Sequence, residues 1–339
     1  MRAMMMRTTA AQLTAAPLSL EDVPTPSVIE PFDVVIKVAA SGVCRTDLHL
    51  LTGEMASPLP LILGHENAGW VHEVGLSVTT VQVGDPVICF PFVSDGLSPD
   101  ERSGFDTHAP NRRTPGITVD GGYAEYMLTN ERSMIKVSSD ADLSLLAPLT
   151  DAGLTAYRAC KRASAIIRPG DTAVVIGIGG LGHLAVQILR ALSPAKIVAV
   201  DTNPAARELA LKCGADVALD PSTVTKHLPA GARTVLDFIG IDQSCQLGID
   251  TLEFGGTYFA VGVGGNLSLP LANIVEGEKH IEGVFVGTFT DLLEVTELTI
   301  SGKIVPHVVR YSLADANTAL HDLANSRFLG RAVLQPHGA

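Results

Sequence analysis

No stretch of this 339-residue chain is apolar for long enough to span a bilayer, so no membrane partner is expected. Basic residues are scarce as well: 24 Lys and Arg stand against 36 Asp and Glu, a formal net charge of -12. Phosphate backbones are bound by basic surface, so nucleic acid is excluded and small molecules are the expected ligands. The cysteines number only five (Cys44, Cys89, Cys160, Cys213 and Cys245), an odd and widely spaced set that gives no disulfide framework. They are read as reduced thiols. The segment Met1-Arg2-Ala3-Met4-Met5-Met6-Arg7 carries basic residues but meets polar Thr8 and Thr9 before a secretory apolar core develops, so a cytoplasmic location is expected. Internal repeats and low-complexity tracts are absent.

What is present suits a globular chain, with 46% hydrophobic and 18% charged residues, and the length exceeds one compact core and fits two domains. The opening half is strand-rich: Asp33 to Val38 and Ala68 to Val74 read as strands between turn signals at Ser41-Gly42 and Gly84-Asp85-Pro86. From Thr172 the pattern changes. The apolar run Ala173-Val174-Val175-Ile176 precedes glycines and a helical stretch from Leu181 to Leu192. A strand at Lys196 to Val200, a helix at Pro204 to Cys213, and strands at Val235 to Ile239 and Tyr258 to Val261 continue the alternation. Such alternation implies βαβ units and a parallel sheet. One long irregular stretch, Phe90 to Val119, is rich in Pro, Gly, Asp and Arg, and a loop of that length is functional or mobile.

Two clusters carry chemistry. The first is Cys44-Arg45-Thr46-Asp47-Leu48-His49 followed by Gly64-His65-Glu66. Thiolate, imidazole and carboxylate are the donors zinc prefers, and a catalytic zinc keeps one position open. Alone, Cys44 reads as a buried thiol and His65 as a structural histidine; together, with Asp47 and Glu66 nearby, they read as ligands. The second cluster is Gly177-Ile178-Gly179-Gly180-Leu181-Gly182, which follows a strand and opens a helix, the context of a dinucleotide fingerprint. Gly177 permits the tight turn, Gly179 admits the pyrophosphate, and Gly182 lets helix and strand pack, while the helix N-terminus offers N–H groups to phosphate. Asp201 ends the second strand, nineteen residues beyond Gly182. Its carboxylate would accept ribose hydroxyls and repel a 2′-phosphate, favouring NAD(H) over NADP(H). Its other use is to cap the helix entered through Thr202-Asn203-Pro204, and the nearby cation Arg207 would suit a phosphate.

On these residues the chain resembles the zinc-dependent alcohol dehydrogenases of the medium-chain dehydrogenase/reductase family, closest in pattern to bacterial secondary-alcohol dehydrogenases with an aspartate zinc ligand. The resemblance is collinear over nearly the whole chain, through the Asp33 to Val38 strand, Gly64-His65-Glu66, Val83-Gly84-Asp85, Gly121-Gly122-Tyr123-Ala124-Glu125-Tyr126, the glycine loop and Gly330-Arg331-Ala332-Val333. It implies an α/β fold, with a GroES-like strand-rich catalytic domain over residues 1–152 and 287–339 and a Rossmann doubly wound parallel sheet, binding NAD, over 153–286. Where the commonest pattern has a second cysteine this chain has Asp151, so Cys44, His65 and Asp151 become the implied zinc ligands, with Glu66 as an exchanging fourth. Asp47 resembles the carboxylate that orients His65, its other use being a first-turn helix acid. Thr46 and His49 resemble a relay that carries the alcohol proton out through the cofactor ribose. Arg45 and Arg331 resemble pyrophosphate contacts, and Thr155, Leu181 and Val261 resemble positions lining the nicotinamide. Gly180 and Val263 are counted with the cofactor site.

The implied activity is hydride transfer between NAD(H) and an alcohol, ketone or aldehyde. Phe90, Phe92, Val263 and Phe285 as pocket residues favour a hydrophobic secondary alcohol. The 90–119 loop lacks the four cysteines with which many relatives hold a second metal, so one catalytic zinc per chain and no structural zinc are expected. The resemblance also implies a homotetramer or a homodimer. The alternatives are a polyol or sugar-alcohol dehydrogenase, a zinc-free NADPH quinone or enone reductase, and a redox sensor that binds dinucleotide without turnover.

Overall fold

In the computed structural model, which describes residues 1–338, the chain divides into two compact units. The first comprises Met1–Ala152, Thr288–Glu297 and residues 307–338; the second comprises Gly153–Gly287 and Leu298–Pro306. Residues 298–306, expected with the first unit, cluster with the second because Gln187 holds Val305 from both sides. Its Nε2 donates to the Val305 carbonyl (3.2 Å) and its Oε1 accepts from the Val305 N–H (2.8 Å).

The first unit is built on a seven-stranded sheet in the order Val308–Ser312, Arg331–Gln335, Asp33–Val43, Glu66–Val74, Pro86–Cys89 and Met134–Lys136, with Tyr126–Asn130 also paired to Asp33–Val43. Only the first pair is parallel. Val34, Ile36, Val38, Val71, Val87 and Met127 pack as one apolar layer, the inward half of the period-2 alternation. A second core gathers Met4, Met6, Leu50, Leu63 and Tyr123 under a three-stranded sheet of Ser19–Asp22, Arg2–Met6 and Leu61–Ile62. The strand that begins at Asp33 runs on to Val43, past the turn expected at Ser41-Gly42. Glycine is needed there for space: a Cβ at Gly42 would overlap the Glu66 side chain on the adjacent strand. The extension delivers the chain directly to Cys44.

The long loop is more ordered than its composition suggests. It holds a short helix, Pro99–Arg102, and a 3-10 turn, Asp106–His108. The helix is organised by the buried Glu101 carboxylate, which accepts from the Ser98 hydroxyl (2.7 Å), the Gly96 N–H (2.9 Å) and the Ser94 hydroxyl. Burial opposes this charge, but the hydrogen bonds outweigh it and hold the carboxyl below its ordinary range.

The second unit is a six-stranded parallel sheet in the order Val217–Leu219, Lys196–Val200, Thr172–Ile176, Ala232–Asp237, Leu252–Ala260 and His280–Gly283. The order reverses between Thr172–Ile176 and Ala232–Asp237, and ligands of such sheets bind beyond the C-terminal strand ends at that switch point. Central residues Ala173, Val174, Val175, Val235 and Leu236 are wholly buried, as covering on both faces demands. The strand expected to reach Ile239 ends at Asp237, for a reason given below. No helix among the described residues is long and apolar enough to cross a membrane.

Candidate active site

Cys44 stands at the N-terminus of the helix Arg45–Thr52, His65 and Glu66 at the start of the strand Glu66–Val74, and Asp151 between the 3-10 turn Ala147–Thr150 and the helix Ala152–Ser164. One donor atom from each of these four residues lies within 4.8 Å of all the others. Asp151 Oδ2 is 3.6 Å from His65 Nε2 and 3.7 Å from Cys44 Sγ. Zinc bonds of about 2.3 Å to sulfur and about 2.1 Å to nitrogen or oxygen set tetrahedral donors about 3.4 to 3.6 Å apart, so the spacing suits one zinc ion. Glu66 Oε2 is buried with no hydrogen-bond partner. The donor chemistry and this orphaned oxygen both fit the metal.

The electrostatics agree. Burial disfavours an imidazolium at His65, but the carboxylates of Asp47 and Asp151 outweigh it and hold the ring well above its ordinary pKa. Burial also raises Asp151, and His65 reverses this, leaving that carboxyl below its usual range. A proton trapped between carboxylates is one that a dication displaces on binding. Glu66 forms a buried ion pair with Arg331, expected at a pyrophosphate and here enclosed in the first unit on the strand Arg331–Gln335. Burial pushes the Glu66 carboxyl up to about 7 against the pull of Arg331.

Asp47 is completely buried and stands within reach of both groups expected of it. As the third residue of its helix it accepts from the Cys44 N–H through Oδ2 (2.9 Å), and its Oδ1 faces His65 Nδ1 at 3.5 Å. Its contacts are to Cys44 and His65, two of the candidate ligands. Thr46 places its hydroxyl 3.6 Å from Cys44 Sγ, and His49, one turn on, is one-third exposed with Nδ1 2.7 Å from Glu54 Oε2. Arg45 is exposed at the first helical position. The pairing of Asn67 with Cys89 brings Phe90 beside Glu66, and Phe90 meets both Phe92 and Phe289 edge-on at 5.6 and 5.8 Å between ring centres. Phe289 carried no signal in the sequence because it lies two hundred residues from its partners.

In the second unit Gly177 has φ +87°, and a Cβ there would press on Ile239 Cγ1 at 2.6 Å. At Gly182 a Cβ would overlap the Gly177 carbonyl, while Gly179 faces open space. Gly180 and Leu181 complete the loop ahead of the helix Gly182–Leu192. Asp201 accepts from the Ile178 N–H (2.7 Å) and the Asn203 N–H (2.8 Å), so it braces the glycine loop. The helix cap considered for Asp201 is supplied by Asn203, whose Oδ1 accepts from the Ala205 N–H (2.9 Å). Arg207 donates to the carbonyls of Asp201 (2.7 Å) and Thr202 (2.9 Å). Thr155 and Val261 are buried, whereas Val263 is 87% and Phe285 60% exposed in this unit. Asp237 was missed: its Oδ1 accepts from the N–H groups of Ile239 and Gly240 and its Oδ2 from the Tyr258 hydroxyl, which turns the chain out of the strand and over Gly177. A carboxylate closing an apolar strand was the available signal.

Residues 30–139 match the family profile "Alcohol dehydrogenase GroES-like domain" and residues 180–301 match "Zinc-binding dehydrogenase". The chain is 35% identical to the NAD-dependent alcohol dehydrogenase of Sulfurisphaera tokodaii, over 94% of this chain and 97% of that one. It is 36% identical to the D-arabinose 1-dehydrogenase (NADP(+)) of Saccharolobus solfataricus, over 94% and 95% respectively. The crystal structure of the alcohol dehydrogenase from the hyperthermophilic archaeon Aeropyrum pernix superposes with a TM-score of 0.94 at 37% identity, covering 99% of this chain and 100% of that one. A GroES-like unit with a buried thiol, imidazole and carboxylate cluster, together with a doubly wound dinucleotide sheet, defines a zinc-type oxidoreductase. The chain belongs to the zinc-type alcohol dehydrogenases of the medium-chain dehydrogenase/reductase family.

Proposed function

We propose that the protein is a zinc-dependent alcohol dehydrogenase that prefers NAD(H) and interconverts hydrophobic secondary alcohols with their ketones. The observation that carries the reading is the convergence of Cys44, His65 and Asp151 at distances suited to one tetrahedral ion. When bound, zinc supplies Lewis-acid stabilisation of negative charge on the substrate oxygen, and NAD(H) carries the hydride. Cys44 and Asp151 together bring two negative charges to the ion, and Asp47 keeps His65 aligned. Thr46 accepts the alcohol proton as its hydroxyl gives up its own toward His49, which sits on the same helix face, is one-third exposed and releases a proton to solvent. Phe90, Phe92 and Phe289 exclude water and favour an apolar substrate. In the second unit Gly177, Gly179, Gly180 and Gly182 hold the pyrophosphate, Asp201 the adenosine ribose, and Thr155, Leu181, Val261 and Val263 border the nicotinamide. Arg45 supplies a phosphate contact; Arg331 meets phosphate only if it shares its charge with Glu66.

Elemental analysis of the purified protein is expected to give one zinc per chain, and two equivalents would refute the single-site reading. His49→Gln is expected to lower turnover about 100-fold with zinc content intact, and an unchanged rate removes His49 from the proton path. A sugar or polyol substrate is the second reading, motivated by the similarity to D-arabinose 1-dehydrogenase. A screen of secondary alcohols and sugars with NAD and NADP side by side separates the two, and silence across the panel with zinc bound would leave the redox-sensor alternative.

A further inference from the structure

Behind the donor cluster lies a group that the proton path and the metal shell do not use. Tyr123 is fully buried in the core of the first unit, and its hydroxyl donates to Asp47 Oδ2 at 2.7 Å. The same oxygen accepts the Cys44 N–H, so two donors saturate it and the carboxylate cannot swing. Its other oxygen, Oδ1, is left facing His65 Nδ1 at 3.5 Å, and neither atom has a hydrogen-bond partner. That arrangement favours a proton on Nδ1, so that a metal displacing the proton on Nε2 would find that nitrogen's lone pair aimed at the donor cluster. Tyr123 also clamps the chain leading to His65: its N–H donates to the Leu63 carbonyl (2.9 Å), and the preceding Gly122 N–H donates to the Gly64 carbonyl (2.8 Å). A Cβ at Gly64 would strike the Tyr123 ring, so the two segments are in closest contact where the ligand begins. Burial, reinforced by Asp47, holds the phenol well above its ordinary pKa and keeps it a donor.

Resting on the zinc dehydrogenase reading above, we infer that Tyr123 is a positioning residue of the metal site, its hydroxyl fixing the Asp47 carboxylate that aligns Cys44 and His65. Packing alone does not ask for the oxygen, since phenylalanine fills the same apolar volume. The hydroxyl's short bond goes to the Asp47 carboxylate, its other acceptor being the Gly42 carbonyl at 3.4 Å.

The test is Tyr123→Phe, with zinc affinity measured on the purified full chain by competition with a chromophoric chelator. Affinity is expected to weaken about 10- to 100-fold, as for removal of other groups that orient metal ligands. The cobalt(II)-substituted variant is expected to show a shifted visible spectrum, while NADH affinity stays at the parent value. Tyr311→Phe, which removes a 2.9 Å phenol–carboxylate bond to Asp322 elsewhere in the same unit, is expected to leave zinc affinity unchanged. In an Asp47→Asn background the effect of Tyr123→Phe is expected to shrink, because the two act through one link. Affinity within about twofold of the parent, or equal losses in both backgrounds, overturns the proposal. If Tyr123→Phe does not fold, the parent carrying 3-fluorotyrosine is followed by fluorine NMR: the buried resonance of residue 123 is expected to move when zinc is removed, and an unmoved resonance overturns the proposal. A parent that binds no zinc would instead overturn the dehydrogenase reading, and this inference with it.

Discussion

Replacing Asp151 by asparagine is expected to strip the protein of zinc under mild chelation and to lower alcohol oxidation by at least about 100-fold. The substitution changes one atom and almost no volume, so the loss follows from charge. On the zinc reading Cys44 and Asp151 would be the two anions that balance a dication; asparagine would leave one, at a largely buried cluster where an unbalanced charge is costly. The negative charge facing His65 Nε2 is lost as well, because Asp151 Oδ2 stands 3.6 Å from it. Asp151→Cys keeps the charge and is expected to retain metal, which separates loss of a ligand from damage to the fold. Zinc content by elemental analysis and turnover on the same preparation check the result. An asparagine variant that holds stoichiometric zinc after dialysis against chelator would remove Asp151 from the shell.

The second large effect is expected at Asp201. Asp201→Ser should lower the ratio of kcat/KM for NADH over NADPH by about 10- to 100-fold, the worth of one hydrogen bond to a charged group plus relief of repulsion toward a 2′-phosphate. The change is expected to come chiefly from weaker NADH use, with a limited gain for NADPH. Arg207, the nearest cation, already donates to two backbone carbonyls and lies 3.5 Å from Asp220, so little of its charge is free for a phosphate. The same carboxylate braces Ile178, so thermal stability must be measured alongside. An unchanged cofactor ratio with a lowered melting temperature would assign Asp201 to the loop alone.

Much of this site was legible from sequence because its chemistry is local. Cys44 through His49 form one helix start, Gly177 through Gly182 one turn, and the residue types at those spacings carry their meaning without distant partners. Periodicity likewise exposed the parallel sheet, since buried strands such as Ala173 to Ile176 are apolar throughout. What escaped depends on contacts between remote segments. The pairing of Arg331 with Glu66 spans 265 residues, and Phe289 joins Phe90 across about two hundred. Ser41-Gly42 read as a turn because glycine is used both for turning and for making room, and only the neighbour at Glu66 shows which applies. Asp201 looked like a helix cap or a ribose ligand, and the brace to Ile178 is visible only once strand and loop meet in space.

The Glu66–Arg331 pair has a kinetic meaning. All of the second unit, residues 153–287 and 298–306, lies within the stretch of chain that this pair closes. Joining the ends of a flexible loop that long carries a large entropic penalty, and prior folding of the enclosed segment shortens the span to be searched. The dinucleotide unit is thus expected to collapse first. Closure of the donor cluster against Arg331 then waits on a contact that needs the chain through residue 331.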